Sequence, residues 1–126
     1  TFNRLESGYR DDLIRTKDLQ PHYQDTYCRV FLLPDAAWAK RVSGSWSNQL
    51  TNQLPDKAHA VLTEKGNGNY LVSVRAPLNN KTGADDICRQ FPTGGGRRAA
   101  AGINNLEASE LGKFITTLSD TYKLAV

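Results

Sequence analysis

The sequence predicts an α/β domain, a mixed β-sheet of about four to five strands flanked by helices. Three observations predict it. A short, mostly apolar run at Tyr27–Leu33 is followed by a helical pattern, two strand-like runs flank a glycine- and asparagine-rich turn, and the last apolar residues return to helical spacing. A strand followed by a crossover helix and a hairpin suggests a mixed sheet with helices packed on it, and the right-handed crossover rule limits how it can wind.

Each element follows from local chemistry. Phe2, Leu5, Tyr9, Leu13 and Ile14 recur at three- and four-residue intervals among Arg10, Asp11, Asp12 and Arg15, an amphipathic helix whose apolar stripe needs a partner. Gln20-Pro21-His22 interrupts it. The run from Tyr27 to Leu33 is short enough for a strand buried on both faces. Pro34-Asp35 then sets a helix start, with Asp35 able to accept from orphan amides, and Trp38, Val42, Trp46, Leu50 and Leu54 follow at steps of four until Pro55. His59–Glu64 and Tyr70–Arg75 form a hairpin across Lys65-Gly66-Asn67-Gly68-Asn69. Ala84–Gln90 reads as a short helix introduced by Gly83. Pro92–Gly96 is expected to be irregular, because three consecutive glycines favour neither helix nor strand. Ala100–Asn104 allows another strand, and Leu111, Phe114, Ile115, Leu118 and Tyr122 close the chain as a helix with Lys123 near its negative end.

Length and composition narrow the function classes. The 126 residues, 39% hydrophobic and 23% charged, suit one soluble globular domain with one core. No apolar stretch approaches the roughly 20 residues that cross a bilayer, and the first residues contain no secretory hydrophobic region, so no membrane association is expected. Two cysteines, Cys28 and Cys88, make no disulfide framework and suit a reducing, cytoplasmic location; both read as packing thiols. Asn80-Lys81-Thr82 fits the glycosylation acceptor pattern, but nothing else suggests secretion. A formal charge of +3 permits phosphate contact without demanding it. The sequence contains no Met, and it is read as an excised domain: residues 1–25 as a linker helix or the tail of a preceding domain, 26–126 as the domain proper.

The most informative stretch is Gly94-Gly95-Gly96-Arg97-Arg98-Ala99-Ala100-Ala101-Gly102. Glycines let a ligand approach the backbone, consecutive amides can form a nest for phosphate oxygens, and two arginines add fork-shaped donors. The alternative is a flexible loop that carries surface arginines. Gly94, Gly96 and Ala99 imitate a dinucleotide fingerprint, but that motif follows a strand and opens a helix, whereas this one follows a helix. No Lys-Ser or Lys-Thr pair stands where a P-loop needs it. Arg75, at the end of an apolar strand, is either an exposed edge residue or a second phosphate clamp. Trp38 and Trp46 read as core, His22 and His59 as isolated, and Asp11-Asp12 and Asp85-Asp86 as solvated helix residues.

Tyr70-Leu71-Val72-Ser73-Val74-Arg75, Ala84-Asp85-Asp86-Ile87-Cys88 and Gly94 to Ile103 together resemble the DHH-associated domain, the C-terminal half of DHH-family phosphoesterases. Its hallmark is a strand ending in Arg, a short helix, and Gly-Gly-Gly-His-x-x-Ala-Ala-Gly. The likeness is loose over Thr26 to Tyr122 and good over Tyr70 to Ile103. One departure stands out: Arg97 occupies the place of the family's His. Neutral His can stack on a base or hydrogen-bond a phosphate; Arg is always charged and only donates.

The resemblance implies a substrate-binding domain with Arg75, Gly94, Gly95, Gly96, Arg97 and Arg98 at its site. It also implies a phosphate-containing substrate, among them short oligonucleotides, cyclic dinucleotides and polyphosphate. The partner would be an N-terminal domain of the same chain that holds manganese through Asp-His-His. No such run occurs in this sequence, and no catalytic or metal-ligating residue is assigned. Two other readings stay open: a non-catalytic module for single-stranded nucleic acid, similar to the C-terminal domain of alanyl-tRNA synthetase, and a scaffold whose loop has lost its ligand.

Overall fold

Alternating side chains on each strand send apolar residues to both faces of one sheet, so helices must cover both. The computed structural model describes residues 19–124. The helix expected at Phe2–Ile14, and Asp11-Asp12 with it, lie outside them. Six strands form the sheet: β1 (Tyr23–Gln24), β2 (Cys28–Leu33), β3 (Ala58–Glu64), β4 (Tyr70–Arg75), β5 (Gly94–Gly96) and β6 (Ala100–Leu106), in the order β1-β2-β3-β4-β6-β5. Only β2 and β3 run parallel; every other pair is antiparallel. The crossover between them is helix α1 (Ala37–Gln53), and α2 (Ala84–Arg89) and α3 (Leu111–Leu124) follow later in the chain. The class is mixed α/β, as expected.

Two strands go beyond the sequence reading. Tyr23 and Gln24, counted above with the preceding segment, pair with Val30 and Arg29. The second is a correction: Gly94–Gly96, expected to be irregular, is the edge strand β5, in register with Ile103, Gly102 and Ala101. Weak strand propensity is overridden because β6 offers a ladder of backbone partners.

Cys28, Val30, Ala58, Ala60, Leu62, Val72, Val74 and Ile103 point to the face covered by α2 and α3, where Ile87, Phe114, Leu118 and Tyr122 meet them. Phe31, Leu33 and Val61 point the other way, into Ala39, Val42, Trp46 and Leu50 of α1. Trp46 lies edge-on to Phe31, ring centroids 4.8 Å apart. A repeat of four drifts about 40° per step against the 3.6-residue turn. Val42, Trp46 and Leu50 are therefore buried while Trp38 is half-buried and Leu54 exposed. Asp35 does not cap α1: Ala36 occupies that position, and Asp35 pairs instead with Lys40 at 3.1 Å.

The loop before β2 is tied to α3 through Asp25. Its carboxylate accepts from Tyr23 Oη at 2.7 Å, Ser119 Oγ at 2.5 Å and the amides of Tyr27 and Cys28. Burial alone would raise this carboxyl; the hydrogen bonds outweigh it and hold the group at about 2. Both cysteines are buried, and desolvation pushes each thiol up to about 12, in keeping with packing rather than reactivity.

His59, on β3 beneath α1, is fully buried, and Arg29 Nε donates to its Nε2 at 3.0 Å. Burial first, then the charges of Arg29 and Lys57, lower its value to about 3. Between its ordinary value near 6.5 and that figure, the unfolded chain takes a proton that the folded one refuses. Stability is therefore expected to fall on acidification through this window, by up to about 1.4 kcal/mol per pH unit. Asp25 adds its own loss below its ordinary value near 3.8. Urea melts at pH 7, 5 and 4 check this: His59→Gln should flatten the dependence between pH 6.5 and 4, and an unchanged slope would remove His59 as its source.

Candidate anion-binding site

Register across the sheet assembles the site. Arg29, His59, Arg75 and Ala100 are successive cross-strand partners on β2, β3, β4 and β6, so they form one row on the α1 side. The row continues into the β5–β6 turn, where the Arg97 amide donates to the Ala100 carbonyl at 2.9 Å. The next row along the same face is Phe31, Val61, Ser73, Gly102 and Gly95.

Arg75 is held in one orientation by neutral acceptors. Its Nε donates to Asn48 Oδ1 at 2.9 Å, and its Nη1 to Ser73 Oγ at 3.0 Å and the Val74 carbonyl at 3.1 Å. Ser73 Oγ is in turn 3.3 Å from Ser47 Oγ on α1. None of these groups carries a negative charge, and among the described residues no carboxylate pairs with Arg75, Arg97, Arg98 or Lys81. Burial first and Arg97 second pull the Arg75 guanidinium below the ordinary arginine value. The guanidinium is thus half-buried, within reach of a second arginine's charge, and without a counter-ion among the described residues. Its Nη2 makes no bond to the described residues.

Arg75 forms part of the wall of a cleft of about 400 Å³. Asn48, Thr51 and Asn52 of α1 form one side, Leu78 and Lys81 of the loop after β4 another, and Ala99–Ala100 a third. The loop is anchored to the end of α1: the Asn79 amide donates to the Pro55 carbonyl at 3.3 Å, and its side chain bonds Asp56. The Ala76 amide donates to the Ala99 carbonyl at 2.9 Å and fixes the third side.

The residues picked from the sequence divide into groups. Arg75 lies in the cleft wall. Arg97 is exposed at the edge of the same row and acts on Arg75 through its charge. Arg98 is exposed, and its carbonyl accepts from the Ala84 amide at 3.0 Å at the start of α2. The three glycines have different reasons to be glycine. A Cβ on Gly94 would stand 1.7 Å from the Cys88 carbonyl oxygen, and one on Gly96, which has φ 140°, would stand 2.5 Å from Ala101 Cα. Gly95 faces open space on the α1 side.

The expected nest of amides does not form. Because Thr93 pairs with Asn104 and Arg97 with Ala100 through hydrogen bonds, the alternation turns the Gly95 amide toward β6. Gly94 donates to the Phe91 carbonyl, so of the three amides Gly96 alone points to the free edge. A straight edge strand cannot converge three amides on one anion.

No motif in the sequence marks Asn48, Thr51, Asn52, Leu78 or Lys81. The signal available was a spacing of four between Asn48 and Asn52 on the polar side of α1, which any solvated helix face also shows. Among the described residues no group of three His, Cys, Asp or Glu side chains could hold a metal ion. Nor is any helix among them long and apolar enough to cross a membrane.

A family model described as the DHHA1 domain matches residues 24–124. No curated protein matches the sequence. Among solved structures, the pGpG-specific phosphodiesterase PggH from Vibrio cholerae superposes with a TM-score of 0.58 at 8% identity, over 97% of this chain and 40% of that one. The C-Ala domain of alanyl-tRNA synthetase from Aquifex aeolicus gives 0.59 at 11% identity, over 82% of this chain and 98% of that one. At these identities the likeness is one of fold, and the chain spans well under half of the phosphodiesterase.

Proposed function

The chain belongs to the DHHA1 (DHH-associated) domain family, and from that premise we propose that it is the substrate-binding domain of a metal-dependent DHH-family phosphoesterase. The observation that carries this reading is Arg75: half-buried, oriented by Asn48 and Ser73, and without a counter-ion among the described residues. Its free Nη2 and the Arg97 guanidinium supply charge-assisted donors for the non-bridging oxygens of a phosphoester. Gly95 allows the ligand to lie close to the strand, because nothing in the fold fills the space where its side chain would be. The role of these residues is to bind and orient the ester.

Residues 19–124 offer no donor set for a metal, so no chemical step is assigned to them. Manganese held by an N-terminal DHH domain of the same protein would supply an activated water and neutralise developing charge. The proposed substrates are short oligonucleotides, cyclic dinucleotides or polyphosphate. The second reading, a non-catalytic nucleic-acid-binding module, is supported by the C-Ala fold match, which covers nearly the whole of that domain.

Titration of a labelled trinucleotide at several salt concentrations tests the anion site. Arg97→Ala should weaken binding and reduce the slope of log affinity against log salt by roughly 0.7, the counterion released per single-strand phosphate contact. An identical slope in wild type and variant would take Arg97 out of the site.

A further inference from the structure

The walls beyond Arg75 are not those of a site for bare phosphate chains. Leu78 is one of three large apolar side chains exposed among the described residues, 39% accessible, and with Ala99 and Ala100 it gives the cleft an apolar shelf. The same cleft is lined by Asn48 and Asn52, one helical turn apart and therefore on the same face of α1. Asn48 spends its carbonyl oxygen on Arg75 Nε, which leaves its amide nitrogen as a donor. Asn52 is exposed and makes no hydrogen bond among the described residues, so both its donor and its acceptor are free. Lys81 adds a point charge to the lining.

We infer that Asn52, aided by Asn48 and the Leu78 shelf, is the specificity element of the cleft, selecting phosphoesters that carry a nucleobase over phosphate chains that carry none. The inference rests on the anion-site reading above. A nucleobase combines an apolar face with an edge of alternating donors and acceptors, and a side-chain amide pairs with such an edge through two hydrogen bonds. Polyphosphate has neither feature: the apolar shelf would face its charge, and the acceptor oxygen of Asn52 would be repelled by it. A cleft of about 400 Å³ falls within the usual range for small organic ligands.

The test is a set of calorimetric titrations of the whole 126-residue chain with the four nucleoside 5′-monophosphates, ribose 5-phosphate and tripolyphosphate. Wild type should bind its preferred nucleotide roughly ten-fold tighter than ribose 5-phosphate, an advantage of the size one bidentate base contact gives. Asn52→Ala should bring that ratio to about one. Asn52 is exposed at the last turn of α1, and circular dichroism would confirm that the variant keeps its fold. Equal affinities for nucleotide and ribose 5-phosphate in wild type, tighter binding of tripolyphosphate than of any nucleotide, or a ratio that survives Asn52→Ala would each overturn the inference while leaving the anion site standing. Failure of every phosphate to bind would instead overturn the anion site, and this inference with it.

Discussion

Gly94→Ala is expected to destabilise the fold by about 3 kcal/mol or more, while the neighbouring Gly95→Ala stabilises it by roughly 0.4–1 kcal/mol. A methyl group on Gly94 would stand 1.7 Å from the Cys88 carbonyl oxygen and 3.1 Å from that of Phe91. Both are backbone atoms, so no rotamer change relieves the overlap; the C-terminal end of α2 must move away from β5. Gly95 has open space before it and no positive φ, so alanine there restricts the unfolded chain without a clash. Urea melts of the two variants measure the contrast. The same Gly95→Ala, and more so Gly95→Val, should weaken trinucleotide binding, because the added atoms occupy the space that the ligand needs. A Gly95→Val chain that binds as wild type would show that the ligand does not approach β5.

Arg75→Ala is expected to lower affinity for any phosphate ligand by about 30-fold or more, the effect of truncating one partner of a partly buried charge pair. Its effect on the free protein should be in the opposite sense to that of an ordinary core truncation. The guanidinium is half-buried and disfavoured by the charge of Arg97, with no carboxylate partner among the described residues, so its removal relieves desolvation and repulsion. Stability without ligand should hold or rise, a signature of a residue kept for binding. Arg75→Lys should recover little, because a single ammonium cannot hold Asn48 and Ser73 and still present a free fork to the ligand. A large loss of stability in Arg75→Ala with unchanged phosphate affinity would mark the residue as structural.

The elements legible from sequence were those whose partners repeat at a fixed period. Phe31, Val61, Val72 and Val74 announced strands, Val42, Trp46 and Leu50 announced α1, and Gly83 announced the start of α2 with φ 96°. β1 and β5 were not legible. Two residues, or three glycines, have no pattern of their own and become strands only because Val30 and Gly102 offer backbone partners. Asp35 was one residue too early to cap α1, a boundary that depends on local dihedral angles rather than composition.

At the site, the sequence by itself determined the chemical parts. An arginine ending a strand, a glycine run and a following arginine pair identified the family and pointed to phosphate. What only the tertiary structure decided was how these parts meet. Register places Arg75 in line with His59 and Ala100, and the β5–β6 turn brings the charge of Arg97 to bear on it, a relation set by pairing across strands far apart in sequence. Packing assigned Gly94 and Gly96 to the fold and left Gly95 open, though the three are identical as letters. The crossover of α1 carried Asn48 and Asn52 to the cleft, and their spacing of four is common to every polar helix face. Such contacts between distant segments have no local period, and only the folded chain reveals them.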